Sequence, residues 1–179
     1  MQEPWQATVC RSSVEWRRGI DAEGHKGALD TDTPTFAVLG SGVECVIQFQ
    51  QTALSADPGK GGGIISELPP GSPPVNWAFP ARNRIISGLS DAVLVVEAKE
   101  QSGSLITANF ALEHGHSVYA LPGAVTEELS RGCNKLIFDG AGIAYSPEIM
   151  LMEWESRQKQ TSKCGKKEVG ACTGFGFGV

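Results

Sequence analysis

Two short segments of this chain combine residue types that bind a phosphate or a nucleic-acid base. One supplies an aromatic ring, an amide and two guanidinium groups around a predicted helix start, namely Phe79, Arg82, Asn83 and Arg84. The other is a turn of small residues that opens a second helix, namely Ser102, Gly103 and Ser104. Small residues let the backbone approach an anion, and the N–H groups of a helix start face it. The pattern therefore predicts a phosphate-bearing ligand.

The same residues also have purely structural interpretations. Arginines at a helix start oppose the helix dipole unless an anion binds there, but surface ion pairs would equally well occupy them. Phe79 either stacks on a base or anchors its loop in the core, and the sequence leaves these two roles evenly balanced. Ser102 and Ser104 have no histidine at a compelling spacing, so we identify no nucleophile–base pair.

A third turn of small residues, Gly40-Ser41-Gly42, follows the apolar segment Thr35–Leu39. With Glu67 further along the chain, it is similar to a dinucleotide-binding fingerprint, but Cys45 stands where that fingerprint has its last glycine. A plain strand-to-helix turn is the better-supported interpretation, and a nucleotide-binding turn stays open as the alternative. We expect no cofactor.

Composition limits the class of protein. The chain has 179 residues, a net charge of −5, and 41% hydrophobic and 20% charged residues, as expected for one globular domain. A nucleic-acid site must then be a local patch. The five cysteines form no CxxC pair, so free thiols in a reducing cytoplasm are expected, and no metal site. No apolar run approaches the roughly 20 residues of a membrane helix.

Apolar strands alternate with helical segments between Gly19 and Met152. Strands that are apolar throughout are typical of a parallel sheet covered on both faces. We therefore predict an α/β fold with a Rossmann-like, doubly wound, mostly parallel sheet, whose N-terminal strand is missing because no convincing strand precedes Gly19. The predicted helices are Ile20–Leu29, Val46–Ala56, Arg82–Ser90, Leu105–His114 and Leu129–Asp139. The predicted strands are Thr35–Leu39, Gly63–Glu67, Ala92–Glu97, Ser117–Leu121 and Ile143–Tyr145.

The order of these motifs identifies a family. They are Gly40-Ser41-Gly42, Ile64-Ile65-Ser66-Glu67, Phe79-Pro80-x-Arg82-Asn83-Arg84-Ile85-Ile86-Ser87-Gly88-Leu89-Ser90, Ser102-Gly103-Ser104-Leu105-Ile106-Thr107-Ala108 and Gly132-Cys133-Asn134. Over about Arg18 to Met152 the chain resembles the DNA-processing protein family DprA/Smf. The resemblance implies a single-stranded DNA-binding protein that helps to load the recombinase RecA in natural transformation and is not an enzyme. It also implies a homodimer, for which the apolar residues of Leu129 to Met152 would supply the surface. The alternative, that these residues close the core of a monomer, stays open.

The predicted DNA-binding residues combine Arg18, as a phosphate contact, with positions that match the family motifs. They are Arg18, Gly40, Ser41, Gly42, Phe79, Arg82, Asn83, Arg84, Ser102, Gly103 and Ser104. In the family, the aromatic at the position of Phe79 is thought to stack on a base. No catalytic or metal-binding residue is predicted.

The chain also departs from the family pattern. The family's first strand and its glycine-serine-arginine turn have no counterpart before Gly19. We therefore expect a truncated member in which residues 1–17 are not family sequence, 18–152 form the Rossmann domain, and 153–179 form a tail that is disordered beyond about Arg157. The alternative function is that of a nucleotide hydrolase of the lysine-decarboxylase-like type, whose Pro-Gly-Gly-x-Gly-Thr turn is absent here. An NAD-dependent oxidoreductase ranks third.

Overall fold

The computed structural model describes residues 8–10, 20–31, 33–45 and 62–168. The strands in these ranges are β1 (Thr8–Cys10), β2 (Thr35–Leu39), β3 (Gly63–Ser66), β4 (Ala92–Val95), β5 (Ser117–Ala120) and β6 (Gly142–Ile143). The helices are α1 (Ile20–Asp30), α2 (Ala78–Gly88), α3 (Gly103–Glu113), α4 (Glu128–Phe138) and α5 (Pro147–Glu168), with a 3-10 turn at Val43–Cys45. None of these helices has the length and apolar character needed to cross a membrane.

The strands form two parallel three-stranded sheets, in the orders β1-β2-β3 and β4-β5-β6. Val38 pairs with Ile65 in the first sheet, and Leu94 pairs with Tyr119 in the second. Parallel neighbours need a crossover, and α3 and α4 supply those of the second sheet. Helix α2 packs against both β2 and α3, so it joins the two sheets. The predicted α/β fold with parallel strands is confirmed.

The N-terminal region requires a correction. The sequence predicts no strand before Gly19, but Thr8–Cys10 pairs in parallel with Thr35–Ala37, which gives β2 a neighbour on each side. Three residues are too few to show the alternation by which strands are predicted. Their β-branched side chains, Thr8 and Val9, are nevertheless typical of extended backbone.

Helix α2 differs from its predicted bounds, and helix α5 was not predicted. Helix α2 begins at Ala78 rather than Arg82, because Pro80 lies in the first turn, where its missing N–H costs no hydrogen bond. Helix α5 continues to Glu168, although disorder was predicted beyond about Arg157. Its polar composition suits a solvated helix, which ion pairs such as Glu153–Arg157 at i,i+4 support. The predicted helix Val46–Ala56 lies outside the described residues.

The main core lies between β4, β5 and the helices α3 and α4. Its buried residues are mostly small, namely Val95, Ala98, Ala108, Ala111, Val118, Ala120, Cys133 and Leu136. Small side chains let the helices approach the sheet closely. At Gly132 the helix lies so close to the neighbouring backbone that only glycine fits, because a Cβ there would lie 2.6 Å from the carbonyl oxygens of Ala98 and Lys99.

A buried histidine fixes α1 against the first sheet. His25 is 7% exposed, and its Nδ1 lies 2.7 Å from the hydroxyl oxygen of Thr35. Burial disfavours the charged imidazolium and lowers the pKa of His25 from 6.5 to about 4. The folded protein therefore holds His25 neutral at pH values where the unfolded chain already binds a proton.

We expect acidification to destabilise the fold through His25. The unfolded chain takes up the proton as the pH falls through 6.5, whereas the folded protein resists until about pH 4. His25 should thus account for a loss of about 2 kcal/mol in the free energy of unfolding between pH 7 and pH 5. Urea denaturation at both pH values measures it. The variant His25→Gln cannot titrate, so an equal pH dependence in both proteins would contradict this origin.

Candidate functional site

The topology brings the predicted site segments to one edge of the molecule, called here the carboxyl edge because the parallel strands end there. The turn Gly40–Gly42 directly follows β2, and Ser102 lies between β4 and α3. Crossover helices run back against the strands, so α2 and α3 both begin at this edge. The Asn83 Nδ2 group donates to the Gly103 carbonyl at 3.3 Å and so links the two helix starts. Two motifs about 20 residues apart thus form one surface.

Phe79 lies directly against Gly40. A Cβ at Gly40 would be 2.7 Å from the Cδ1 atom of the ring, so only glycine leaves room for the aromatic side chain. The guanidinium carbon of Arg82 lies 5.8 Å from the ring centroid, within cation–π distance. Phe79 is half-buried. It anchors the start of α2 to the turn after β2, and the residue as a whole is only partly removed from solvent.

The glycine turn after β2 is covered by the proline-rich loop that precedes α2. Gly40, Ser41 and Gly42 are all buried. The Gly42 N–H donates to the Ser72 carbonyl at 2.9 Å, and a Cβ on Gly42 would lie 2.0 Å from the Pro70 carbonyl oxygen. In the turn that resembles a nucleotide-binding fingerprint, the Gly42 N–H is therefore bonded within the protein and the space beside Gly42 is filled by the protein's own backbone.

The three polar residues Arg82, Asn83 and Arg84 have different environments. Arg82 and Asn83 are 3% and 2% exposed. The Arg82 Nη1 group donates to the Val38 carbonyl at 2.5 Å, which ties α2 to β2. Both arginines lie past the first turn of α2, so they do not oppose its dipole as the sequence suggested. Arg84 alone of the three is exposed, and it forms an ion pair with Glu67.

The start of α3 is a capped helix N-terminus. The Ser102 hydroxyl accepts a hydrogen bond from the Ser104 N–H at 3.2 Å, and the backbone of Ser102 is extended, with φ −80° and ψ 144°. Ser102, Gly103 and Ser104 are each half-buried. They therefore line the carboxyl edge beside α2. Arg18 lies outside the described residues.

The structure contains a serine–histidine pair that was not predicted from the sequence. The Ser87 hydroxyl lies 2.9 Å from Nδ1 of His114, and the two residues are 27 positions apart, so spacing could not reveal the contact. Ser87 is fully buried at 0% exposure. A buried hydroxyl cannot reach a substrate, so this pair joins α2 to the end of α3 rather than forming a nucleophile.

A family model described as DNA recombination-mediator protein A matches residues 16–155. This chain belongs to that family. The DNA processing protein DprA of Streptococcus pneumoniae R6 is 42% identical over 138 residues, which are 77% of this chain and 49% of that protein. Protein Smf of Escherichia coli K12 is 47% identical over 135 residues, which are 75% of this chain and 36% of that protein. The chain thus spans about half the length, or less, of these DprA/Smf relatives.

Solved structures of family members share the fold. The X-ray structure of DprA from Streptococcus pneumoniae superposes with a TM-score of 0.67 at 41% identity, covering 75% of this chain and 48% of that one. A structure of DprA from Helicobacter pylori, described for that protein's single-stranded DNA binding mode, gives a TM-score of 0.61 at 24% identity. It covers 79% of this chain and 63% of that one.

The two arginines of the family motif should differ sharply in their effect on stability. Arg82→Ala removes a buried hydrogen bond to Val38 and leaves a cavity, so we expect a loss of about 2–4 kcal/mol in the free energy of unfolding. Arg84→Ala breaks an exposed ion pair and should cost less than about 1 kcal/mol. Urea denaturation compares them, and equal losses would contradict the internal role of Arg82.

Proposed function

We propose that this chain binds single-stranded DNA along the carboxyl edge, as part of a protein that processes DNA for recombination. The observation that carries the proposal is the joining of the two helix starts by the Asn83–Gly103 hydrogen bond at 3.3 Å. Helix starts attract phosphate groups, and accessible aromatic surface stacks on bases. Membership of a family whose relatives are named DNA-processing proteins supports the same proposal.

The residues of the site would have two separate tasks. The accessible part of Phe79, the Arg84 guanidinium and the Ser102–Ser104 turn would contact the strand. The buried groups Gly40–Gly42, Arg82 and Asn83 would hold those contacts in place. Phosphate contacts and stacking carry little sequence information, so binding should depend only weakly on base sequence.

We further propose that the role is binding rather than catalysis, and that the bound strand is passed to the recombinase RecA. The burial of Ser87 in the serine–histidine pair supports a non-catalytic role. The resemblance to DprA/Smf proteins supports RecA as the partner. Burial of the glycine turn argues against the alternative function, a nucleotide hydrolase. The Gly42 N–H already donates to the Ser72 carbonyl and is not available to a nucleotide phosphate.

Charge changes at the Arg84–Glu67 pair should alter DNA affinity in opposite directions. Arg84→Gln removes a cation and should weaken binding of labelled oligo-dT severalfold. Glu67→Gln frees Arg84 from its carboxylate partner and removes a negative charge, so it should strengthen binding. Fluorescence anisotropy at several salt concentrations measures both effects, and the wild-type salt slope should be shallow, at about −0.7 per phosphate contact.

Glu113→Gln makes the same charge change as Glu67→Gln at the far end of α3, and it serves as the matched control. If Glu113→Gln and Glu67→Gln strengthened binding equally, net charge rather than the carboxyl edge would be responsible. Absence of salt-sensitive binding in folded wild-type protein at micromolar concentration would refute the proposed function.

We also propose that the chain forms a homodimer through the exposed apolar residues of α4, β6, α5 and the connection between β6 and α5, called here the α4–α5 surface. These residues are Phe138 at 89% exposure, Ile143 at 49%, Tyr145 at 68%, Ile149 at 42% and Met152 at 68%. Their neighbours Leu136 and Met150 are buried in the core at 7% exposure each, so one helix face cannot hide the whole set. Several large exposed apolar residues in one segment of the chain commonly mark an interface.

A charge on the α4–α5 surface should dissociate the dimer. Ile149→Glu and Phe138→Glu each place a carboxylate where a partner would exclude water, so both should sediment as monomers at tens of micromolar. Leu112→Glu, at an exposed position on α3, should sediment like the wild type. A monomeric wild type, or a dimer unaffected by both α4–α5 variants, would contradict this interface.

A further inference from the structure

Trp77 immediately precedes α2 and exposes 64% of its surface. It occupies the N-cap position, yet its side chain makes no capping hydrogen bond. An indole offers the largest flat stacking surface among the side chains, and leaving it in water is unfavourable. No family motif identified in the sequence includes Trp77, and Trp77 is not among the DNA contacts proposed above.

The backbone that carries Trp77 is held in a defined conformation. The Trp77 carbonyl accepts the N–H of Ala81 at 3.3 Å, and the next N–H, that of Ala78, donates to Val75 at 3.0 Å. The φ and ψ angles of Trp77, −70° and −25°, are helical. The indole therefore projects from a helix start rather than from an irregular loop, which lowers the entropic cost of stacking on a base.

Trp77 and Phe79 lie on different sides of the start of α2. Residues two positions apart on a helix do not share a face. Because the Phe79 ring lies against Gly40, the side chain of Trp77 extends away from that contact, which agrees with its greater exposure. The two aromatics would thus meet two different nucleotides of a strand that passes the helix start.

Two cations in the described part of the carboxyl edge are shared with carboxylates, which makes base contacts important there. The exposed ammonium of Lys99 lies 3.1 Å from the Glu128 carboxylate, and Arg84 is paired with Glu67. Cations shared with carboxylates contribute less to phosphate binding, and the chain as a whole carries a charge of −5. Among the described residues, we therefore expect contacts with bases to contribute a large share of the affinity for a strand at this edge.

From these observations we infer that Trp77 stacks on a base of bound single-stranded DNA, as a second platform beside Phe79. The inference rests on the proposed function and adds to it a residue that the family motifs do not contain. It requires that the aromatic character of Trp77, and not only its apolar surface, determines affinity.

Substitutions at position 77 test this requirement. Trp77→Ala and Trp77→Leu should each weaken the binding of labelled oligo-dT at least fivefold in anisotropy titrations, whereas Trp77→Phe should stay within about threefold of the wild type. For a strand of the same length without bases, Trp77→Ala should bind like the wild type. Leu112→Ala, at an exposed position at the far end of α3, is the control and should not change either affinity.

A fluorescence measurement supplies the second readout. Oligo-dT should quench tryptophan emission in the wild type and much less in Trp77→Phe, since the other three tryptophans are common to both proteins. If the wild type binds oligo-dT but Trp77→Ala or Trp77→Leu binds as tightly, the stacking role is refuted and the proposed function stands. If folded wild-type protein fails to bind, the proposed function is refuted and the role of Trp77 falls with it.

Discussion

The arrangement at the carboxyl edge depends on the buried polar contacts of α2. Arg82 reaches the Val38 carbonyl of the first sheet, and Asn83 reaches the Gly103 carbonyl at the start of α3. Both side chains are almost fully buried, and the Arg82–Val38 hydrogen bond is itself buried, so competing water does not weaken it. One helix is thereby fixed to both halves of the fold. The positions of the exposed groups around it follow from these two contacts.

These contacts explain why the motif from Phe79 to Ser90 serves only partly to bind a ligand. An arginine and an asparagine at a helix start suggest an anion site, but burial assigns Arg82 and Asn83 to the interior. Phe79 anchors its loop against Gly40, one of the two roles that the sequence left balanced, and its partial exposure is compatible with the other. Trp77 and Arg84 are both exposed, and of these two the sequence singled out only Arg84.

The pattern of apolar residues predicted β2 and α4, because both are defined by residues that are close together in the sequence. The strand Thr35–Leu39 has the bounds predicted from its apolar run, and α4 lies within one residue of its prediction. Contacts between distant residues could not be derived in this way. The partner of Arg82 is 44 positions away, and Ser87 meets His114 only because α2 packs on α3. Strand β1 was missed because three residues carry no period, and α5 because a solvated helix and a disordered tail share one composition.

We propose that the starts of α2 and α3 together form the surface that receives single-stranded DNA. Amide hydrogen exchange with and without oligo-dT tests it most directly, because exchange locates the strand on the chain. Protection should increase in residues 76–84 and 102–105 and remain unchanged in 112–117, at the opposite end of α3. Protection confined to 112–117, or absent from both helix starts at a saturating concentration of oligo-dT, would contradict the account.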